Sequence, residues 1–317
     1  MSAEKQPVVI VAGPTASGKS GLALAIAGEF DGVVINADSM QVYRELRVLT
    51  ARPSREDEAR APHRLYGVLC ASQACSAGHW RDMALAEIDE AHAAGKLPIV
   101  CGGTGLYLRA LTQGLSPMPD VPDEIREAMR ARLAAEGAEA LHRELAARDP
   151  AMARRLEPAD SQRVVRALEV LEATGRSLAD WQAVPAEGPP ERLRFLTILL
   201  APPREWLYAR CDRRLRTMLD EGALDEVRRL TAMGLAPDLP AMKALGVKEF
   251  AAYLAGNSGF DDALATARQA TRNYAKRQMT WFRHQIIADE TISEQFSESL
   301  MPEIFSFVRH FLLTPSD

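Results

Sequence analysis

The segment GPTASGKS, Gly13 to Ser20, contains the residues whose types and spacing most clearly predict a chemistry. It fits the pattern G-x-x-x-x-G-K-S and lies between an apolar run and a helical pattern, which is the context that this pattern requires. Backbone N–H groups and the positive end of the helix would bind a di- or triphosphate, Lys19 would neutralise it, and Ser20 would face Mg²⁺. The predicted phosphate-binding residues are Gly13, Pro14, Thr15, Ala16, Ser17, Gly18, Lys19 and Ser20. An ordinary glycine-rich turn is the alternative.

Carboxylates near this loop are few. P-loop ATPases and kinases usually have an aspartate at the end of a neighbouring strand to hold Mg²⁺, together with a base or a water-orienting group. The apolar run that begins at Leu97 ends in CGGTG, which contains no acid. Asp38, within INADSMQVY, is the only well-placed carboxylate. The residues alone leave open whether Asp38 is a metal ligand, a base or a turn-capping residue beside Ser39.

Five motifs occur along the chain in the order GPTASGKS, INADSMQVY, TARPSREDEARAPHRLYGV, VCGGTGLYLRAL and ATRNYAKRQMTWFR. In their order and spacing they resemble the tRNA dimethylallyltransferases (isopentenylpyrophosphate:tRNA transferases), and the resemblance covers nearly the whole chain. Two positions differ from the family's usual residues. Arg52 stands where the family commonly has lysine, and Arg64 stands where a second histidine often follows His63.

The resemblance implies an activity. A dimethylallyl group would pass from dimethylallyl diphosphate to N6 of the adenosine at tRNA position 37, next to the anticodon, and diphosphate would leave. The loop, Lys19 and Mg²⁺ would stabilise the charge on the departing oxygen. Asp38 would act as the general base toward the adenine amine. Thr104 would lie beside the reacting groups and touch the RNA. A helix N-cap is its other expected role, and the two roles are compatible.

Two arginines in LYARCDRRL lie four residues apart on one predicted helical face. Arg210 and Arg214 are therefore expected to close over the diphosphate, with Arg210 slightly favoured as a catalytic group. A solvated basic face is the alternative.

The resemblance also implies a surface for the tRNA anticodon stem-loop. The target nucleotide must leave its stack to reach a buried base, and the segment Asp38 to Gln41 would line its channel, with Gln41 reading the base edge. The expected tRNA contacts are Asp38, Ser39, Met40, Gln41, Thr104, Arg126, Gln162, Arg163, Val164, Val165, Arg166, Lys243, Lys248, Arg272, Lys276 and Arg277. In the last motif the positive charges suit phosphate contact, whereas Trp281 and Phe282 are assigned to the core.

Short apolar runs that alternate with helical patterns must position these residues. The runs lie at 7–12, 32–36, 97–103 and 194–202, with helices at 18–29 and 77–94. This pattern predicts an α/β fold with a P-loop NTPase-like parallel sheet and helices on both faces. Segments rich in proline and glycine flank a stretch without strand signals, which predicts an all-helical insertion domain at 114–186 that contacts tRNA. The core would comprise 1–113 and 187–317, with a helical C-terminal part.

Bulk composition limits the remaining possibilities. The chain has 317 residues, 47% of them hydrophobic, and a net charge of −5, so an RNA-binding surface must be a local basic patch. The four cysteines have no metal-ligand spacing, and we expect free thiols. No leader and no apolar run of membrane-spanning length are evident, so we expect a cytoplasmic protein without membrane contact, and a monomer.

Three alternatives remain open at this stage. They are a prenyltransferase acting on free adenine nucleotide, a small-molecule P-loop kinase, and an RNA-binding module switched by a nucleotide. The long helical insertion and the basic C-terminal stretch argue against the first, because free AMP needs no such surface. The phosphate loop does not by itself distinguish one polyphosphate from another, so ATP binding stays among the expectations.

Overall fold

The computed structural model describes residues 5–314. Its sheet is built from β1 (Gln6–Ala12), β2 (Gly32–Asn36), β3 (His63–Arg64), β4 (Leu97–Gly102), β5 (Leu193–Leu200) and β6 (Glu290–Ile292). The strands lie in the order β3-β2-β4-β1-β5-β6, and each neighbouring pair is parallel. The carboxyl ends of β1, β2 and β4 therefore meet at one edge, where the phosphate loop, Asp38 and Thr104 follow the strands.

Helices connect the strands and cover the sheet. The first part of the chain has α1 (Lys19–Glu29), α2 (Arg55–Arg60), α3 (Ala77–Ala93) and α4 (Gly105–Gln113). Next come α5 (Asp123–Glu136), α6 (Ala138–Arg148), α7 (Pro150–Ala153), α8 (Ser161–Thr174) and α9 (Leu178–Ala183). After β5 follow α10 (Arg204–Asp220), α11 (Ala223–Ala232), α12 (Val247–Leu254), α13 (Phe260–Gln285) and α14 (Met301–Leu313), with 3-10 turns at Pro240–Lys243 and Glu298–Leu300.

The apolar strands are buried on both faces. Successive strand residues point to opposite sides, so Val8 and Ile10 belong to a hydrophobic cluster with Trp80 of α3. Val9 and Val11 belong to a second cluster with residues of α1 and α14. Helices therefore cover both faces of a parallel sheet, and the predicted fold class is confirmed.

Four of the six strands agree with the predicted apolar runs to within two residues. The sequence analysis missed β3 and β6, the two edge strands. β3 has only two residues, and β6 has three, of which only Ile292 is buried. Such short and largely exposed strands have no apolar run by which they could be recognised. Phe282 lies in the core as expected, 2% exposed, and Trp281 packs against the core while partly buried.

The chain divides into two compact units. One comprises the described residues up to Thr112 and those from Pro189 onward, and the other is Gln113–Gly188. The second unit contains α5 to α9 and has its own hydrophobic cluster, in which Leu141, Leu145 and Leu168 are fully buried. The absence of strands between residues 113 and 188 agrees with the predicted all-helical character of this segment.

Candidate active site

The phosphate loop connects the end of β1 to the first turn of α1. Ala16 and Gly18 have left-handed backbone conformations, with φ of 65° and 103°. Such residues, alternating with right-handed ones, turn successive N–H groups toward one concavity that suits an anion. The N terminus of α1 has no side-chain cap and no acidic residue in its first turn, and Ser17 Oγ is buried without a hydrogen-bond partner among residues 5–314. These unused groups fit a bound polyphosphate.

Lys19 is buried inside this loop. Its side chain is 9% exposed, and Nζ donates to the carbonyl oxygen of Pro14 at 3.3 Å. Burial lowers the pKa of Lys19, and the negative charge of Asp38 opposes that shift. Because this buried ammonium group donates to a neutral carbonyl, an anion bound in the loop would stabilise it.

Helix α10 contacts the loop through Arg214, whose Nη2 donates to Thr15 Oγ1. Arg210 lies one turn earlier, and its guanidinium group stacks over the Trp206 ring at 4.7 Å from the centroid. Burial lowers the pKa of both arginines. Arg214 is thus the arginine that contacts the loop in this structure, and the catalytic preference for Arg210 stays a prediction.

Asp38 follows β2, and an asparagine fixes its backbone. Asn36 is fully buried, and its side chain bonds to both backbone polar groups of Asp38. Oδ1 accepts from Asp38 N at 2.8 Å, and Nδ2 donates to the carbonyl oxygens of Asp38 and Leu65, each at 3.0 Å. Asp38 Oδ1 accepts from Met40 N at 2.9 Å. This bond is the turn-capping role weighed as an alternative, but it uses only one of the two carboxylate oxygens.

Thr104 lies beside Asp38 because its hydroxyl group bonds to Ser39. Thr104 Oγ1 accepts from Ser39 N at 2.9 Å and donates to Ser39 Oγ at 3.2 Å. The Thr104 backbone N–H donates to Ala37 at 3.1 Å, and Tyr274 of α13 also hydrogen-bonds to the Thr104 side chain. The hydroxyl group of Thr104 therefore bonds to Ser39 and Tyr274, while its carbonyl accepts from Tyr107 N at 2.9 Å in the first turn of α4.

These groups surround one cavity of about 230 Å³. Its lining comes from the phosphate loop, the segment after β2, and helices α10 and α13. The lining residues are Thr15, Asp38, Ser39, Met40, Leu49, Thr50, Arg214, Lys243, Ala244, Leu245, Tyr274 and Arg277. Sequence-predicted residues from both the phosphate set and the RNA set thus border the same space.

Several other sequence-predicted residues lie outside this lining. Gln41 donates both amide hydrogens to protein carbonyls, those of Thr50 at 2.7 Å and Ala51 at 3.0 Å. Arg272 forms a two-bond ion pair with Asp212, and its guanidinium group is thereby engaged. Lys248 and Lys276 are exposed.

Ser20 is exposed at the first turn of α1 and hydrogen-bonds to the Cys101 thiol. Burial raises the pKa of Cys101 to about 11, which keeps that thiol neutral near pH 7. No cluster of three or more histidine, cysteine or acidic side chains suited to a metal ion occurs between residues 5 and 314. A metal ion at Ser20 would therefore need further ligands from a bound diphosphate.

In the second unit, the segment Gln162 to Arg166 has two faces. Gln162, Arg163 and Arg166 line a polar cavity within this unit, as does Arg155. Val164 and Val165 point the other way and are 0% and 9% exposed. Their side chains belong to the apolar stripe of α8 and pack in the core of this unit, so the expected tRNA contact of Val164 and Val165 stays a prediction that the side chains themselves do not support. Arg126 donates to the Val121 carbonyl at 3.2 Å.

Several residues in or next to the cavity are not predicted from the sequence, among them Leu49, Thr50, Ala244, Leu245, Tyr274 and Glu226. Tyr274 lies within a recognised motif, but its cavity position depends on how α13 packs. Glu226 of α11 accepts three backbone N–H groups from residues 47–49, next to the cavity-lining Leu49 and Thr50. Nothing in the surrounding sequence LDEVRRL predicts that Glu226 is buried.

Comparison with known proteins identifies the family. A family model described as IPP transferase matches residues 41–285. The chain belongs to this family. A tRNA dimethylallyltransferase of Paramagnetospirillum magneticum is 57% identical over 314 residues, which are 99% of each chain. The resemblance inferred from the five motifs is thereby confirmed.

Solved structures of this family have the same fold. The tRNA isopentenylpyrophosphate transferase of Bacillus halodurans is 32% identical with a TM-score of 0.70, and the match covers 97% of this chain and 96% of that one. A eukaryotic dimethylallyltransferase described as acting on tRNA is 25% identical with a TM-score of 0.79, over 97% of this chain and 79% of that one. None of the helices between residues 5 and 314 combines the length and the hydrophobicity that a bilayer-spanning segment requires.

Proposed function

We propose that this protein transfers a dimethylallyl group from dimethylallyl diphosphate to N6 of the adenosine at tRNA position 37, releasing diphosphate. The observation that supports this most directly is a single cavity bordered by the phosphate loop residue Thr15, by Arg214 and by Asp38. A leaving diphosphate and an incoming amine must meet in one space, and this cavity has a cationic side and an acidic side. Relatives that align over nearly the whole chain are named for this reaction.

The phosphate loop would hold the leaving group. The uncapped N terminus of α1, Lys19 and Arg214 present N–H donors and positive charge to the diphosphate oxygens. Charge accumulates on the bridging oxygen as the carbon–oxygen bond breaks, so these groups would stabilise the transition state more than the ground state. A Mg²⁺ ion, with Ser20 Oγ as its protein ligand, would add Lewis-acid stabilisation of the same charge.

Asp38 would serve the acceptor side. The adenine amine is a weak nucleophile because its lone pair is delocalised into the ring, so removal of its proton during bond formation lowers the barrier. The Met40 N–H holds Asp38 Oδ1, and the second oxygen can take the proton. Thr104 and Ser39 would lie beside the base and limit its position.

Each of the two units has basic residues of its own that would bind RNA. Lys243 and Arg277 border the cavity itself, and Tyr274 offers a ring against which a base can stack. In the second unit, the exposed side chain of Arg163 and the half-buried one of Arg166 lie on the polar face of α8. Backbone phosphates of an anticodon stem-loop are the ligands that such arginines suit.

One set of assays tests the proposal. The protein is incubated with Mg²⁺ and labelled dimethylallyl diphosphate, together with either unmodified tRNA or AMP. We expect label in tRNA only. Label in AMP would favour the free-nucleotide prenyltransferase, and label in neither, together with ATP turnover, would favour the kinase alternative.

The Asp38→Asn variant tests the base. The asparagine amide oxygen can still accept the Met40 N–H, so the turn should persist while the base is lost. We expect turnover to fall by about 10² to 10⁴ with tRNA affinity nearly unchanged. The control is Asp89→Asn, which alters an exposed carboxylate paired with Arg192 on the surface. Normal turnover in Asp38→Asn would disprove the assigned role.

A further inference from the structure

We infer that Gln278 of α13 is a positioning residue for the transfer, because it ties the phosphate loop to the turn that bears Thr104; this inference rests on the proposed function. Its side chain is 6% exposed. Oε1 accepts from Thr15 N at 2.8 Å, and Nε2 donates to the Gly103 carbonyl oxygen at 2.8 Å. One amide thus bridges two segments that follow neighbouring strands, β1 and β4.

The bridge requires a side chain that donates and accepts at once. A glutamine amide does both, whereas a carboxylate only accepts and an aliphatic side chain does neither. Both partners are buried backbone groups, so loss of the amide would leave an unsatisfied N–H and an unsatisfied carbonyl. The Thr15 N–H is already engaged by Gln278 and is therefore not a donor to diphosphate. Thr15 is held twice, since its hydroxyl group also accepts from Arg214.

Glycines in the CGGTG turn make this contact possible. A Cβ on Gly103 would lie 2.4 Å from Gln278 Nε2, and a Cβ on Gly105 would lie 2.2 Å from the Trp281 ring. One turn of α13 therefore packs directly on the residues before and after Thr104. The GGTG sequence is explained here by the close approach of a helix, in addition to any approach of a ligand.

The Gln278 side chain connects the phosphate loop, where the leaving group would bind, to the segment beside the proposed base. Thr15 borders the cavity at the phosphate loop, whereas Thr104 bonds to Ser39 next to Asp38. Gln278 thus sets how far the phosphate loop lies from the acceptor turn. The same helix presents Tyr274 to the cavity. Misplacement of reacting groups by about 1 Å can lower a rate by about 10²-fold, so we expect the bridge to act on kcat more than on substrate affinity.

The first test uses Gln278→Met, which preserves length but removes both bonds. We expect kcat to fall on the order of 10- to 100-fold, with KM for tRNA changed less than about threefold. The control is Gln269→Met on the same helix, where Gln269 is exposed and bonds to Asn273 on the helix surface. Wild-type kcat in a folded Gln278→Met protein would overturn the inference.

The second test uses Gln278→Glu and the pH profile. Burial raises the pKa of an introduced carboxyl group. Its protonated form can again accept from Thr15 N–H and donate to the Gly103 carbonyl, so the ratio of variant to wild-type kcat should rise as pH falls. The charged and titratable groups around the phosphate loop are Lys19, Asp38, Cys101, Arg214 and Cys211, with Arg210 and Asp212 on α10 and Arg272 and Arg277 on α13. All of them are common to both proteins, so the ratio isolates the new carboxyl group. A ratio that does not change with pH would contradict the bridge.

A third measurement needs no variant and no transfer activity. We expect the Thr15 amide of the wild-type protein to exchange its hydrogen slowly without ligand, and inorganic pyrophosphate to change that rate less than about threefold. Exchange that is fast until pyrophosphate is added would mean that the N–H is free for phosphate, and the inference would fail. If labelled dimethylallyl diphosphate gave no product while Thr15 remained protected, the proposed function would fail and the bridge would stand.

Discussion

Replacement of Glu226 by glutamine offers a stringent test of how the cavity wall is built. Glu226 lies on α11 and is 3% exposed. Its Oε2 accepts from the backbone N–H groups of Arg47 at 2.7 Å and Val48 at 2.8 Å, and Oε1 accepts from Leu49 N at 2.9 Å. A single carboxylate therefore fixes three consecutive backbone groups, and the segment leads directly into cavity-lining residues.

The cost of Glu226→Gln follows from this geometry. A glutamine has one oxygen, so its NH₂ group must face at least one of the three N–H donors. A buried donor without a partner costs about 1–3 kcal/mol, and the remaining bonds lose the strength of a charged acceptor. We expect the free energy of unfolding to fall by about 2–4 kcal/mol. Because Leu49 and Thr50 line the cavity, KM for a substrate should rise as well.

Urea unfolding measures this change, and a neighbour on the same helix supplies the control. Asp225 is exposed and pairs with Arg228 on the surface, so Asp225→Asn should alter stability by less than about 0.5 kcal/mol. If Glu226→Gln were as stable as Asp225→Asn, the three bonds could not hold the segment as described. The same result would remove the reason for expecting a change in KM.

Two further perturbations test the phosphate loop and the helix packing. Burial lowers the pKa of Lys19 below its ordinary value of 10.5, so the ammonium form that binds an anion is lost as pH rises through the lowered pKa. Calorimetry should show that wild type binds pyrophosphate more tightly than Lys19→Met at neutral pH and that this difference shrinks over that range. A difference in affinity that stayed constant up to pH 10.5 would contradict the expectation. Gly105→Ala puts a Cβ 2.2 Å from the Trp281 ring and should lower the free energy of unfolding by about 1–3 kcal/mol. Its control is Gly28→Ala, whose Cβ has no atom within 4 Å and which should be neutral or stabilising in thermal unfolding.

The parts predicted well from sequence are those determined by local pattern. β1, β2, β4 and β5 contain continuous apolar runs, because a parallel sheet covered on both faces buries β2 and β4 completely and most residues of β1 and β5. The phosphate loop was recognised from spacing alone, since its function depends on backbone conformations that require a particular order of residues. The edge strand β6 lacks both kinds of signal.

Contacts between distant segments could not be predicted in the same way. Gln278 and Thr15 are 263 positions apart, and Glu226 and Arg47 are 179 apart. Nothing local distinguishes these two side chains from other polar residues on helices. Within QRVVR, by contrast, the helical period was sufficient to show that Val164 and Val165 cannot face the same side as Arg163 and Arg166. The predicted tRNA contact covers the whole segment and therefore includes two valines whose side chains lie in the core.

The end of β4 explains how a phosphate loop can serve a reaction without water attack. Where a P-loop ATPase usually has a metal-binding aspartate, this chain has Cys101, whose pKa burial raises to about 11, followed by glycines that α13 approaches closely. The carboxylate lies instead beyond the adjacent strand β2, where Asn36 is in register with Cys101 and Asp38 comes two residues later. Compared with a P-loop ATPase, the carboxylate thus follows the neighbouring strand β2 instead of β4. There it lines the cavity that an acceptor amine would enter. A carboxylate in that place is poorly positioned to act at a γ-phosphate and well positioned to take a proton from an adenine amine. We therefore expect Cys101→Asp to impair prenyl transfer without producing ATP hydrolysis.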